Sequence, residues 1–331
     1  MKPRILVTGV GGEIGSVSNR VLRHLIRNGY PVRAFMRTGN KRKPEIERMG
    51  AEVVSGDLMN LHDVARALEG VGRVFFSMSL NPSYTDAAVI MMEACRVQGG
   101  IEAFVNISEY EQVLMPYSVM KGDEASRHAS LGDCTSDWSR QQRAHWAVER
   151  ALEWSGLPAV NVRANIFVEN PIIAWFPLGN VLKEHVLELP FGDRKFLPIT
   201  AVSVAEAVAK ILMNPEGFIG RNLHLEGTER IGGEELARMY SKIFGFEVTY
   251  RPVTVEEWDE KYMGIPRSVG LVHIANHLGN LGRLMAGGRY HHEGTPNDLP
   301  AILGHDPATG DVRKALESYA KVQEAKRELE G

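Results

Sequence analysis

A parallel, doubly wound α/β fold with a smaller C-terminal α/β region is what this sequence predicts, on three observations. Short β-rich runs alternate with helical patterns through the first half of the chain. A glycine-rich turn lies between the first run and the first helix. After residue 166 the alternation stops, and a stretch rich in proline and aromatic residues begins.

Taken in order, the predicted strands lie at 5–8, 32–36, 52–55, 74–76, 103–107 and 159–163. The first crossover is amphipathic: Ile14, Val17, Val21, Leu22, Leu25 and Ile26 recur at helical spacing, and Asn28-Gly29 supplies a stop. Further helices are expected at 61–68, 87–98 and 143–155, the last ending at Gly156. Residues 171–198 carry four prolines and several aromatics, which suits a lid or pocket wall over the open edge of the sheet. Beyond it the pattern predicts a helix at 204–213, a strand near 221–226, a helix near 233–244, a strand around 247–251 and one charged final helix at 311–329. The expected division is a nucleotide domain at 1–165, also receiving 197–228, and a smaller substrate domain with the C-terminal helix at 166–331.

Composition narrows the function classes. Thirty-eight Lys+Arg against 41 Asp+Glu give a net charge of -3, so no global positive field would recruit nucleic acid or anionic membrane. Any attraction to phosphate must be local. Cys95 and Cys134 have no metal-type spacing and are expected to stay reduced thiols in a cytoplasmic protein, and no signal-peptide or membrane-length apolar run is seen. The oligomeric state, monomer or homodimer, is left open.

The glycine turn gives the first functional expectation. Gly9, Gly12 and Gly15 recur every three residues, within a run that also holds Gly11, Glu13 and Ile14, after a strand and opening a helix. In this context Gly9 permits the turn, Gly12 lets the backbone approach a pyrophosphate, and Gly15 allows close helix packing. The helix N-terminus offers unpaired N–H groups to phosphate. This is the Rossmann arrangement for a dinucleotide. The end of the second strand selects which one, because NAD sites place an acid there for the ribose 2′-OH. Here the strand ends in Arg37, followed by Lys41, Arg42 and Lys43. A guanidinium grips a 2′-phosphate bidentately, so the expected cofactor is NADP(H). The three later basic residues read more simply as a solvated loop. Asp57, with Leu58, closes the third strand; its carboxylate could accept from the adenine amino group, and capping the next helix is a competing reading that can coexist with it. Ser77, Met78 and Ser108 sit at strand C-terminal ends and are expected at the cofactor by position.

These features resemble the NmrA-like, atypical short-chain dehydrogenase/reductase family. The likeness rests on 5–15 and 32–37, on 145–157 with 162–163 and 167–170, and on 197–213, 221–227, 234–244 and 304–310. It implies a Rossmann domain with a smaller substrate domain, NADP(H) preference, and either reductase activity or cofactor sensing.

Hydride transfer needs a proton donor near the developing anion. Two candidates compete. Tyr117 and Lys121 have Tyr-x-x-x-Lys spacing, with Ser108 upstream, but Pro116 and Gly122 bracket a single turn displaced from the helix that carries such a dyad in similar enzymes. His145 lies in the first turn of the expected 143–155 helix, where the resemblance implies a Lys or His; an imidazole titrating near neutrality would protonate substrate, and the bland alternative is a partly buried helix histidine. Asn165, Ile166 and Phe167 either border the nicotinamide or pack as loop. Trp175, Phe176, Phe191 and Phe196 either line a pocket or pack a lid. The reading is an NADPH-dependent reductase of a small, apolar or aromatic molecule. Its rivals are an NADP(H)-sensing regulator and an isomerase or epimerase with tightly held cofactor.

Overall fold

In the computed structural model, which describes residues 2–12, 17–131, 139–290, 294–307 and 311–330, the first half of the chain winds into one parallel sheet. Its strands are β1 (Arg4–Val7), β2 (Val32–Met36), β3 (Glu52–Ser55), β4 (Val71–Phe76), β5 (Ala103–Glu109) and β6 (Ala159–Ala164). After β7 (Val186–Leu189), the chain returns to add β8 (Asn222–Leu225), giving the order β3-β2-β1-β4-β5-β6-β8. Ile5 of β1 pairs with Val32 on one side and Arg73 on the other, so β1 is central. The reversal of strand order between β1 and β4 makes the crevice where doubly wound sheets take ligands.

Helices cover both faces because the sheet strands are apolar on both sides. On one face, Val21, Leu22 and Leu25 of the helix Val17–Arg27 pack against the helix Ala201–Met213, and each such burial contributes about 1.5–3 kcal/mol. The short helix Leu299–Leu303 joins this layer late in the chain. On the other face lie the helices Leu61–Leu68, Tyr84–Gln98 and Arg140–Ser155. Cys95 is buried in this layer, and burial pushes its thiol up to about 12. Cys134 falls outside the described residues.

The remainder packs around a third apolar cluster, on the short parallel pair β7 and β9 (Thr249–Pro252) and on helices that include Gly233–Phe244, Val255–Ser268 and Val272–Ala286. The last two were not expected from the sequence. The expected single C-terminal helix is two, Asp311–Ser318 and Ala320–Glu330, parted at Tyr319. Among the described residues no helix is long and apolar enough to cross a membrane.

Candidate active site and cofactor cleft

Past the end of β1 the backbone turns sharply at Gly9, whose φ of 72° lies in the left-handed region. A Cβ there would stand 2.7 Å from the Ser77 carbonyl oxygen, so the close passage of this turn over the end of β4 requires glycine. Thr8 locks the two strand ends together: its hydroxyl donates to the Ser77 carbonyl at 2.7 Å and accepts from the Ser77 amide at 2.8 Å. The Gly12 amide closes the turn onto the Gly9 carbonyl at 3.2 Å. Glu13, Ile14 and Gly15 fall outside the described residues.

The turn forms one wall of a cleft of about 310 Å³, within the size range of small-molecule sites. Gly9, Gly11, Gly12, Arg37, Asp57, Leu58, Ser77 and Met78 all line it, as do Asn40, Ser79 and Asn81, which sequence reasoning missed. Arg37 is exposed, and its guanidinium makes no hydrogen bond or ion pair among the described residues. Arg42 differs: it donates to the Gly12 carbonyl at 2.9 Å and to Glu45 at 3.1 Å, so it braces the turn instead of being a merely solvated loop residue. Asp57 accepts from the Met59 amide at 3.0 Å, while the cap of the following helix is Asn60. The capping alternative for Asp57 therefore fails. Ser108 is buried away from the cleft lining, its hydroxyl donating at 2.7 Å to Glu149, which also pairs with Arg163 at 2.6 Å.

The catalytic candidates separate. Tyr117 is 67% exposed on a single helical turn, Tyr117–Met120, with Lys121 exposed at its end; neither lines the cleft. His145 is buried in the second turn of its helix, not the first. The helix starts earlier than expected, at Arg140, because Ser139 and Gln142 form a reciprocal capping box. Gln141, His145, Val148, Glu149 and Leu152 then share the buried face, at helical spacing.

Around His145 stands a closed polar cluster. Its Nε2 lies 3.1 Å from the Gln141 amide nitrogen and 3.3 Å from Glu109 Oε1, and Tyr84 packs on its ring at 4.4 Å. The same Glu109 oxygen is 3.2 Å from Nε2 of His277, whose Nδ1 meets the Ser139 hydroxyl at 3.0 Å. Glu111 accepts from Tyr290 at 3.1 Å and from Gln142 at 3.3 Å. Burial dominates the electrostatics, since it penalises whichever form is charged. It pulls the His145 imidazole down to about 4, lowers His277, raises Glu109 and, with the Glu109 charge adding to it, pushes Glu111 up to about 8. The expected imidazole titrating near neutrality is thus corrected: His145 is neutral at pH 7. Two imidazoles share one carboxylate oxygen at hydrogen-bond distance, and among the described residues no group of His, Cys, Asp and Glu is arranged to hold a metal.

For the flanking residues, the packing alternatives are the ones the contacts support. Asn165 is fully buried, its amide divided between Glu226, the Tyr290 carbonyl and the Ile166 amide, which is loop packing. Phe191 and Phe196 pack edge-to-face at 5.4 Å inside the third cluster, so neither lines a pocket. Trp175 remains 44% exposed, stacked on Phe176 at 5.3 Å.

A sequence model described as NAD(P)H-binding matches residues 12–215, more than half the chain. The chain belongs to the NAD(P)H-binding family. Individual relatives match as well, one of them NmrA-like. An NmrA-like family domain-containing oxidoreductase of Aspergillus flavus is 25% identical over 261 residues, 77% of this chain and 76% of its own length. An NAD(P)H azoreductase of Xenophilus azovorans is 24% identical over 325 residues, 97% of this chain and 98% of its own. The crystal structure of NmrA, a negative transcriptional regulator in complex with NADP, shares the fold with a TM-score of 0.72 at 16% identity, over 98% of both chains. Besides the cleft residues Asn40, Ser79 and Asn81, the sequence left unassigned Glu109, Glu111, Gln141 and His277 of the buried cluster, drawn from three separate stretches of chain. The one local signal among them was an acidic residue ending a central strand.

Proposed function

We propose that this NAD(P)H-binding protein is an NADPH-dependent reductase of a small, apolar or aromatic organic acceptor: a carbonyl, quinone, azo group or conjugated double bond. The observation that carries the reading is Arg37, a guanidinium without a partner among the described residues at the position where an acid would select NAD(H). In this reading the turn from Gly9 through Gly15 cradles the pyrophosphate, Arg37 takes the 2′-phosphate, Asp57 and Leu58 flank the adenine, and Ser77 and Met78 follow the dinucleotide along the sheet edge. When bound, the reduced nicotinamide supplies a hydride to the acceptor. Residues 1–165 with 197–228 form the cofactor part, and 166–331 the substrate part, with Trp175 and Phe176 available to its wall. The azoreductase relative, matched along nearly its whole length, supports a reductase.

A second reading is an NADP(H) sensor. It is favoured by the burial of His145 and by the likeness to the regulator NmrA. A panel of quinones, azo dyes, aromatic aldehydes and enones, followed by NADPH absorbance, separates the two. Oxidation of NADPH with one class is the expected result; tight NADPH binding with no turnover across the panel would favour the sensor.

A further inference from the structure

We propose that Asn40 is a second group that reads the 2′-phosphate of the cofactor, donating from its side-chain amide beside the Arg37 guanidinium. The inference rests on the NADP(H) assignment of Arg37 above and names a further residue that sets that preference. Asn40 lines the cleft together with Arg37, Gly11 and Gly12.

The backbone puts the two side chains on one turn. The Asn40 backbone N–H donates to the Arg37 carbonyl at 3.1 Å, and Gly39 between them takes a φ of 77°, so the chain leaving β2 doubles back on itself. A neighbour then orients the Asn40 side chain. The Arg42 backbone N–H can only donate, and it donates to Asn40 Oδ1 at 2.9 Å, which identifies the amide oxygen and leaves Nδ2 as the outward end. Nδ2 lies over Gly11, where an added Cβ would run into it, and among the described residues its two hydrogens meet no acceptor.

That contact also accounts for glycine at position 11. Of Gly9, Gly11 and Gly12, only Gly9 has a left-handed φ, and a Cβ at Gly12 would meet nothing closer than 3.4 Å. At Gly11 the obstacle is the Asn40 amide itself, so the glycine turn keeps room for a side chain arriving from the facing wall. Arg42 holds the two walls at this spacing: its guanidinium is committed to the Gly12 carbonyl at 2.9 Å and to Glu45 at 3.1 Å. A 2′-phosphate held by Arg37 then finds a cation and a pre-aimed neutral donor on the same turn. Its three charged oxygens accept from both, whereas the 2′-hydroxyl of NAD(H) offers one neutral oxygen, so the Asn40 contact favours the phosphorylated cofactor.

The test is fluorescence titration of NADPH and NADH, which differ only in the 2′-phosphate, against wild type, Asn40→Ala and Asn40→Asp. Asn40→Ala should weaken NADPH about 10-fold, the size of one hydrogen bond to a charged group, and NADH by less than about 2-fold. Asn40→Asp keeps an oxygen for the Arg42 N–H and replaces the donor with a carboxylate, so the turn stays built while NADPH affinity falls at least as far as in Asn40→Ala. Should Asn40→Ala fail to fold, Asn40→Asp decides alone. A side chain that only shapes the loop predicts otherwise: Asn40→Asp that binds NADPH as wild type does, or equal losses for NADPH and NADH, overturns the assignment. Wild type with no preference for NADPH over NADH overturns the Arg37 reading itself, an outcome distinct from a preference that survives in Asn40→Asp.

Discussion

The cleft beside β1, β2 and β4 and the cluster behind β5 lie on the same edge of one sheet, yet they hold their polar groups in opposite ways. In the cleft the glycine backbone, the Arg37 guanidinium and the Asp57 carboxylate stay open to solvent. In the cluster Glu109, Glu111, His145 and His277 are packed together and desolvated, so that burial sets their protonation. The difference follows from the two tasks. A charged dinucleotide arriving from water is recognised by groups that stay solvent-accessible, whereas buried carboxyls and imidazoles are held where charge is costly.

The comparison can be broken in four places. The largest effect is expected at Arg37→Ala, which should weaken NADPH by roughly 10- to 150-fold, the range for a hydrogen bond to a charged group, while leaving NADH nearly unchanged. Equal losses for both cofactors in a fluorescence titration would remove Arg37 from the 2′-phosphate. Gly9→Ala should cost about 1–3 kcal/mol of stability, because its φ of 72° and the Ser77 carbonyl both oppose a Cβ. Thermal unfolding reads this, and an unchanged midpoint would mean the turn is not strained.

The third place is Glu111, whose folded-state pKa is raised to about 8 from an ordinary 4.5. Its stabilising contribution is full below the ordinary value and is lost as pH rises through about 8. Wild type should therefore lose stability relative to Glu111→Gln between about pH 5 and 8 in denaturant titrations; parallel curves would show that burial does not govern Glu111. His145 acts in the opposite window. Its pKa is lowered from 6.5 to about 4, so its contribution is present above 6.5 and fades as pH falls through about 4. The smallest effect is Tyr117→Phe, on an exposed turn away from both regions, which should leave turnover intact and stability within about 0.5 kcal/mol. A large loss of turnover would return the Tyr-x-x-x-Lys dyad to the reaction.

The same contrast explains what could be read before the structure. The glycine turn is a local backbone requirement, so Gly9, Gly11, Gly12 and the second-strand Arg37 were legible from spacing alone. The helix Gly233–Phe244 was read to its bounds because its signals are also local: Glu235 holds the Gly232 amide at 2.9 Å, and Gly245 ends it with a φ of 80°. Helices Val255–Ser268 and Val272–Ala286 went unread. Pro266 sits inside the first, and Gly279 and Gly282 interrupt the apolar spacing of the second. Tertiary packing overrides both signals: a Cβ at Gly282 would lie 3.3 Å from the Pro190 ring, and that close approach suits glycine. With the second helix unread, His277 could not be placed beside Glu109. The cluster exists only when stretches more than a hundred residues apart come together.

The most direct measurement of the central claim follows a label. NADPH carrying deuterium at the reactive carbon of its nicotinamide is mixed with the protein and an active acceptor from the panel, and the product is analysed by mass. Deuterium on the product, with a slowed single turnover, is the predicted result. NADPH that binds but never passes its label to any acceptor would contradict the account.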